Sequence, residues 1–486
     1  MNLAEVASSH DARRIALIDG DERVTFGELR GQTAAMQVDL ADRGVEAGTT
    51  VALATGNDIA FVVATLAVLG LGGVVMPLNP GSPTSELARK LAVAAPSMLL
   101  VGHAGRLHLG DPDVGVPTVD LIEMTDRAKA AQASSEQHLE PTLVDCDDDA
   151  PAFYMATSGV SGVAKVAVLS HYNLHWMHGA LRQVDPAVTA DDVILGSLPF
   201  THIFGLNVVL LAPMQAGACI VLQQRFDAEA SLRLVQEHGV TMLSGAPPMW
   251  KRWLDADVPD DAMASVQFAA SGAAALPLEL FHGVKERFGI EIAQGYGLTE
   301  TSPIVTLGRG FDVRPTSVGK VLPGVEVALV DDSGTPVELG DEGEIVVRSP
   351  GVFSGYLHDQ DTTDAVLSED GWLWTGDVGI FDEDGYLYLV DRIKDIVIVS
   401  GFNVYPAEVE NVLMQHPGVQ GAIVTGVPDE MTGETVVAHV SGSVTREELE
   451  ALADEHLSRY KRPTDYHFLE ELPIAANGKA IRRALR

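Results

Sequence analysis

Thr157, Ser158 and Ser161 stand beside Gly159 and Gly162, and Lys165 follows three residues after the second glycine. Glycines let backbone N–H groups turn towards an anion, hydroxyls add donors, and a lysine adds a mobile positive charge. That composition suits a polyphosphate. A Ser/Gly surface turn between two strands has the same composition, and the stretch alone does not separate the two readings. The Walker pattern G-x-x-x-x-G-K-[ST] is not met, because Val166 stands where its Mg2+-binding hydroxyl is needed, so a P-loop NTPase is disfavoured.

A second constellation is Gln294-Gly-Tyr-Gly-Leu-Thr-Glu300. A strand from Glu291 to Gly295 leaves Tyr296, Gly297, Thr299 and Glu300 at a strand's carboxyl edge, where open α/β sheets bind ligands. The Tyr296 ring can stack on a base, Thr299 can donate to phosphate, and Glu300 can hold Mg2+. A glycine-punctuated hairpin with an exposed acid does not account for all three together. Gly272 and Ala273 follow an apolar strand over 266–270, where small residues admit a flat ligand or a tight sheet–helix connection. Trp374-Thr-Gly-Asp377 places a carboxylate in a tight turn, suited to a ribose diol or to the turn itself. Near the chain's end, Gly478 presents Lys479 on a loop, unless these residues are simply a basic tail.

Such residues need a scaffold. A helix through Asp42, a strand over 50–54, a helix to Leu69, a strand over 73–77 and another over 97–101 alternate as βαβ units do, predicting a mostly parallel sheet. Residues 126–150 are polar, and the run Asp145-Cys-Asp-Asp-Asp149 reads as a solvated connection. Ser170 is an N-cap for a helix through about Arg182. A second α/β block follows, with strands over 192–197, 218–222, 241–244 and 266–270 and a helix over 228–238. From about Ser317 the segments 325–330, 343–348 and 385–390 alternate like half-buried antiparallel strands, which predicts a small β-rich subdomain over about 317–393. A compact α+β unit then runs from 394 to 486, with helices over 407–414 and 446–457.

Composition narrows the partners. A net charge of −36, from 68 acidic against 32 basic residues, argues against nucleic acid or an anionic membrane. Cys146 and Cys219 alone cannot build a disulfide framework or a metal site. The amino-terminal residues lack the pattern of a secretory signal, so the expected location is cytoplasmic. Residues 59–78 are uncharged and long enough to span a bilayer. Gly70, Gly72, Gly73 and Pro77 interrupt them, and a buried helix followed by a buried strand is the better reading.

Taken in order, these segments resemble the adenylate-forming superfamily of acyl-CoA synthetases, nonribosomal-peptide adenylation domains and luciferases. The likeness rests on the loop 157–165, Pro199-Phe-Thr-His202, Tyr296-Gly-Leu-Thr-Glu300, Thr375-Gly-Asp377, Asp391-Arg-Ile-Lys394, Gly401-Phe-Asn403 and Gly478-Lys479. It implies two steps: a carboxylate attacks the α-phosphorus of MgATP, and a thiol then takes the acyl group. By motif, Thr157, Ser158, Ser161 and Lys165 would hold the β- and γ-phosphates. Gly272, Ala273 and Tyr296 would take the adenine, Thr299 the α-phosphate and Glu300 the Mg2+. Asp377 would bind the ribose with Arg392 nearby. Lys479 would neutralise charge in the first step, Lys394 would be the hinge of a mobile C-terminal domain, and Gly401 would border the thiol channel. Three positions depart from the family loop: Val160 replaces a hydroxyl, Ala164 a proline and Val166 a glycine, which predicts weaker ATP binding.

Amino-acid adenylation domains carry an Asp where Thr201-His202 stands here. His202, with Ile203, Phe204, Leu206, Pro247, Met249 and Trp250 as an apolar neighbourhood, favours a plain acid, fatty or aryl; a core histidine is the alternative. CoA is the expected acceptor. Two other readings remain: an acyl-AMP ligase loading a separate acyl carrier protein, and a non-catalytic nucleotide or acyl sensor.

Overall fold

The computed structural model describes residues 1–109, 114–135, 139–157, 165–392, 395–399, 402–429, 432–474 and 481–485. Among these, one sheet orders Gly355–Tyr356, Lys165–Ser170, Pro151–Thr157, Val74–Pro77, Thr50–Ala54, Met98–Val101 and Thr118–Asp120 side by side. A second orders Lys320–Val321, Thr306–Leu307, Ile292–Tyr296, Phe268–Ser271, Met242–Gly245, Val193–Gly196, Cys219–Leu222, Ile15–Asp19 and Glu22–Thr25. The pairings are parallel from Pro151–Thr157 to Thr118–Asp120 in the first sheet and from Ile292–Tyr296 to Ile15–Asp19 in the second, and antiparallel outside those limits. Helices cover both faces of such sheets, which is why these strands read as unbroken apolar runs.

The helix through Asp42 forms as expected, and the chain leading into it pairs as a strand. Val24 lies in an edge hairpin, Ile15–Asp19 with Glu22–Thr25, and that hairpin joins the second sheet. The helix Phe26–Asp42 then begins at a capping box: Thr25 accepts the Glu28 N–H, and the Glu28 carboxylate accepts the Thr25 N–H. The polar reading of 126–150 fails at its start. Leu121–Ser134 is a helix, capped by Asp120, which buries Leu121, Met124 and Ala128 under polar outer residues. The aspartates at 145 and 147–149 are exposed, as expected.

The helix Ile59–Gly70 is buried almost all round and leads into Val74–Pro77, so this apolar stretch is core. Among the described residues no helix is long and apolar enough to cross a membrane. Further helices, Thr84–Ala94, Pro247–Asp255 and Leu278–Phe288, pack on the sheets. The apolar run near 206 forms a wide-turned π-helix, Phe204–Leu211, rare in general and often found at functional positions.

The β-rich part is an antiparallel sheet of Glu326–Val330, Gly343–Arg348, Leu373–Phe381 and Leu387–Arg392. Asp377 does not sit in a tight turn here. It lies within the Leu373–Phe381 strand, where Gly376 at φ 71° and shifted registers on both sides produce a bulge that re-aims the chain. After 395, Phe402–Val404, Val397–Val399, Gly433–Gly442 and Val419–Asp429 pair in that order, with Asp465–Phe468 parallel to Gly433–Gly442. The helices Pro406–Leu413 and Arg446–His456 bury Val409, Leu413 and Leu449 against Val424 and Ala438, giving the α+β unit its own core.

Candidate active site where three sheets meet

Thr157 ends one strand of an antiparallel hairpin, and Lys165, its register partner, begins the other. Thr157 and Lys165 are therefore pinned opposite each other, with the Thr157 hydroxyl 3.4 Å from the Lys165 carbonyl it donates to. Ser158, Gly159, Ser161 and Gly162 fall outside the described residues. The short strand Gly355–Tyr356 pairs alongside Lys165–Ser170 and brings the Tyr356 ring under Lys165, whose Nζ lies 5.0 Å from the ring centroid. An ammonium over an aromatic face is attracted by the ring quadrupole.

The Tyr356 hydroxyl donates to Glu300 Oε1 at 2.7 Å. Burial and the charge of Glu300 push the Tyr356 pKa up, so the phenol stays protonated and remains a donor. Glu300 sits in the single turn Thr299–Thr301 just beyond the Ile292–Tyr296 strand, and its carbonyl accepts from the Phe353 N–H at 2.9 Å. This joins the second sheet to the first. The turn folds back so closely that a Cβ at Gly297 would lie 1.6 Å from the Pro303 carbonyl oxygen. Only glycine fits there.

The third sheet arrives through Asp377. Its Oδ2 accepts from the Tyr296 hydroxyl at 2.8 Å, and its register partner is Arg392, whose side chain lies outside the described ones. Tyr296 is 8 % exposed, and its hydroxyl anchors the Asp377 carboxylate. Next to Asp377, the Gly376 N–H donates to Glu344 Oε1 at 2.9 Å, and burial pushes the Glu344 pKa up.

The 271–275 stretch carries a backbone outlier. Ala273 holds φ 71°, a left-handed conformation that costs an L-residue on the order of 1 kcal/mol and persists where the backbone must be aimed. Gly272 beside it is covered by Phe204: a Cβ there would come 3.1 Å from Phe204 Cε1. His202 is half-buried at the head of the π-helix, its carbonyl accepting from the Leu206 N–H at 2.9 Å. The apolar neighbourhood expected around it shrinks. Trp250 is fully buried, donates to the Ala270 carbonyl at 3.2 Å and packs edge-on against Trp253, so it is core beneath the sheet; Leu206 is equally buried. Phe204 and Met249 keep partial exposure.

Sequence reasoning passed over Tyr356, Glu344 and Asn207. Asn207, fully buried, accepts from His178 Nε2 at 2.7 Å and donates to the Ser302 carbonyl at 2.7 Å, tying the π-helix to the chain just after Glu300. A lone Asn inside an apolar run was the available signal, because a buried amide needs partners. Tyr356 carries no such mark.

Glu300 suits Mg2+, which keeps several waters and is held by one or two carboxylates together with substrate phosphates. One Glu300 oxygen is fixed by Tyr356 and the Thr299 hydroxyl stands beside it in sequence, the oxygen donors a hard cation takes. Lys394, Gly401 and Lys479 lie outside the described residues.

The family described as AMP-binding enzyme matches residues 3–357, and that described as AMP-binding enzyme C-terminal domain matches residues 408–479. A 4-coumarate–CoA ligase 5 of Oryza sativa subsp. japonica is 32 % identical over 495 residues, covering 97 % of this chain and 91 % of that protein. ATP-bound MatB from Rhodopseudomonas palustris has the same fold at TM-score 0.91 and 30 % identity, covering 100 % of this chain and 98 % of its own. The o-succinylbenzoate coenzyme A synthetase of Bacillus subtilis, solved with ATP and magnesium ion, reaches TM-score 0.86 at 30 % identity, with 100 % and 99 % covered.

Proposed function

The chain belongs to the AMP-binding enzyme family, in the acyl-CoA synthetase branch of the adenylate-forming superfamily, and on that premise we propose that it joins a carboxylic acid to CoA with ATP cleaved to AMP and pyrophosphate. A carboxylate oxygen attacks the α-phosphorus, the bond to the bridging oxygen breaks, and pyrophosphate leaves. The sulfur of CoA then attacks the acyl carbon, and AMP departs with the electrons of the C–O bond. The observation that carries this reading is the convergence of Lys165, Tyr356–Glu300 and Tyr296–Asp377 from three sheets on one place.

Mg2+, when bound at Glu300, supplies charge screening for the phosphates. The chain's own groups do the positioning: we assign Thr157, Ser158, Ser161 and Lys165 to the β- and γ-phosphates, Thr299 to the α-phosphate, and Gly272, Ala273 and Tyr296 to the base. Asp377, held by Tyr296, takes the ribose. We assign Lys479 to the charge that develops at the α-phosphate, Lys394 to the pivot between residues 1–393 and 394–486, and Gly401 to the thiol path. Losing one such charge-stabilising group reduces the rate on the order of 10² to 10³-fold. The acid is a plain carboxylic acid, fatty or aryl, because His202 stands where an α-amino group would need a carboxylate. The aryl relatives weigh towards the second class.

Carboxylate-dependent ATP–pyrophosphate exchange, screened from acetate to palmitate, benzoate and 4-coumarate, tests this. Exchange with at least one acid that falls at least a hundredfold in Lys479→Ala is expected. Absence of exchange with every acid, or full exchange in Lys479→Ala, overturns the reading. Thioester formation with free CoA separates it from carrier-protein loading. Unchanged thioester formation by Lys394→Pro would remove the pivot.

A further inference from the structure

The Phe268–Ser271 and Ile292–Tyr296 strands carry the candidate active site at their carboxyl ends. Around their amino ends, between the end of the Leu278–Phe288 helix and the chain that follows Thr306–Leu307, lies an open cleft of about 510 Å³. Its apolar walls come from Val266, Phe268, Ile290, Phe311 and Val313. Exposed Gln267, Lys285 and Glu291 line it as well, and it holds one buried charge. Arg309 is only 9 % exposed, and its Nε is buried without a partner. No hydrogen bond or ion pair joins its guanidinium to another described residue; it lies over the Phe268 ring, 4.8 Å from the centroid. Burial pushes its pKa down, against the pull of Asp192 and Asp185, which stand beyond ion-pairing distance. The Asp192 carboxylate is already engaged by the Thr189 N–H at 2.8 Å and the Thr241 hydroxyl at 2.9 Å. At the rim Lys285 neutralises Glu291 at 2.6 Å.

A buried charge without a partner is costly, and buried guanidinium groups in folded proteins are met by an anion. The planar fork matches a carboxylate, sulfonate or phosphate, and apolar walls with an aromatic floor match a flat hydrocarbon body. We propose that this cleft is a second binding site, separate from the candidate active site, for a small aryl anion whose head group pairs with Arg309 and whose ring lies among Phe268, Ile290 and Phe311. The site does not depend on the reaction proposed above.

Benzenesulfonate is the probe, because it keeps the shape and charge and has no carboxylate to activate; benzenesulfonamide is its neutral counterpart. Titration calorimetry on the full chain should show one benzenesulfonate bound, with affinity at least tenfold above that of the sulfonamide. Arg309→Gln should lose at least tenfold. Lys285→Glu, an exposed change that leaves the core alone, should lose about threefold by reversing the rim charge. Glu300→Gln and Asp377→Asn should bind as the parent does. Equal binding of the two probes, no binding at 10 mM, undiminished binding in a folded Arg309→Gln or in Lys285→Glu, or loss of binding in Glu300→Gln would each overturn the proposal.

Discussion

Tyr356 Oη and Glu300 Oε1 are 2.7 Å apart, and the same tyrosine ring lies 5.0 Å below Lys165 Nζ. One side chain thus touches both the group that would meet the metal and the group that would meet the phosphates. A ligating carboxylate is held in place by what hydrogen-bonds it, and loss of such a partner typically weakens metal affinity or activity about 10- to 100-fold.

Tyr356→Phe removes the donor and keeps the ring under Lys165. Pyrophosphate exchange should fall about tenfold, and the Mg2+ concentration for half-maximal rate should rise by a similar factor. A Mg2+ titration superimposable on the parent's would show that Glu300 is positioned by something else.

Gly297→Ala is the sharpest steric test. Its new methyl would overlap a backbone carbonyl oxygen at 1.6 Å, so the fold-back after Tyr296 must open and carry Thr299 and Glu300 with it. A displacement near 1 Å in a positioning element reduces rate about 10²-fold. Exchange should drop by about that factor while far-ultraviolet circular dichroism stays native. A parent-like rate would mean that the turn does not position the reacting groups.

Much of this site was legible in the sequence, in ordered short motifs: glycine and hydroxyl runs mark where backbone must approach a ligand, and the 294–300 stretch carries its chemistry openly. The alternation of strands and helices gave the parallel sheets for the same reason, since strands buried on two faces are apolar throughout. What could not be read was who holds whom. Tyr296 and Asp377 are 81 residues apart, and their bond at 2.8 Å depends on a bulge set by register shifts that no local pattern announces. The 121–134 helix hid behind its polar face, and Trp250 looked like a pocket residue because an apolar side chain next to a site and one beneath it have the same letter.

His171 and His178 give a pH prediction. Burial pushes both down to about 4. His171 Nδ1 accepts the Leu3 N–H at 3.0 Å, so it must stay neutral to keep that bond. In the unfolded chain both bind protons near pH 6.5, so the unfolded state takes up protons that the folded state refuses. Stability is therefore full above about pH 6.5 and is lost as pH falls towards 4, by about 1.4 kcal/mol per pH unit for each histidine. His178→Gln should show a stability-versus-pH slope between pH 6 and 4.5 shallower by about that amount, measured by denaturant unfolding. A parallel slope would exclude His178 from the proton balance.

The last prediction concerns the chain beyond Lys479. Arg482 Nη2 contacts Glu410 Oε1 and Oε2 at 2.7 and 3.0 Å, Nη1 lies 3.6 Å from Asp395, and Nε donates to the Val424 carbonyl at 3.2 Å. Glu410 in turn accepts the Val424 N–H at 2.7 Å. All three charged side chains are largely shielded, at 18 %, 18 % and 13 % exposure. Removing one partner from a buried pair leaves an uncompensated charge and typically destabilises by about 3–5 kcal/mol, whereas neutralising both is far milder. Arg482→Met should therefore destabilise the C-terminal unit by about that amount, read from hydrogen exchange of the 419–442 amides in the full chain. Adding Glu410→Gln, which keeps an acceptor for the Val424 N–H and removes the stranded charge, should restore most of it. If the double variant is no more stable than the single one, the Arg482 side chain acts through packing along its stem and not through its charge.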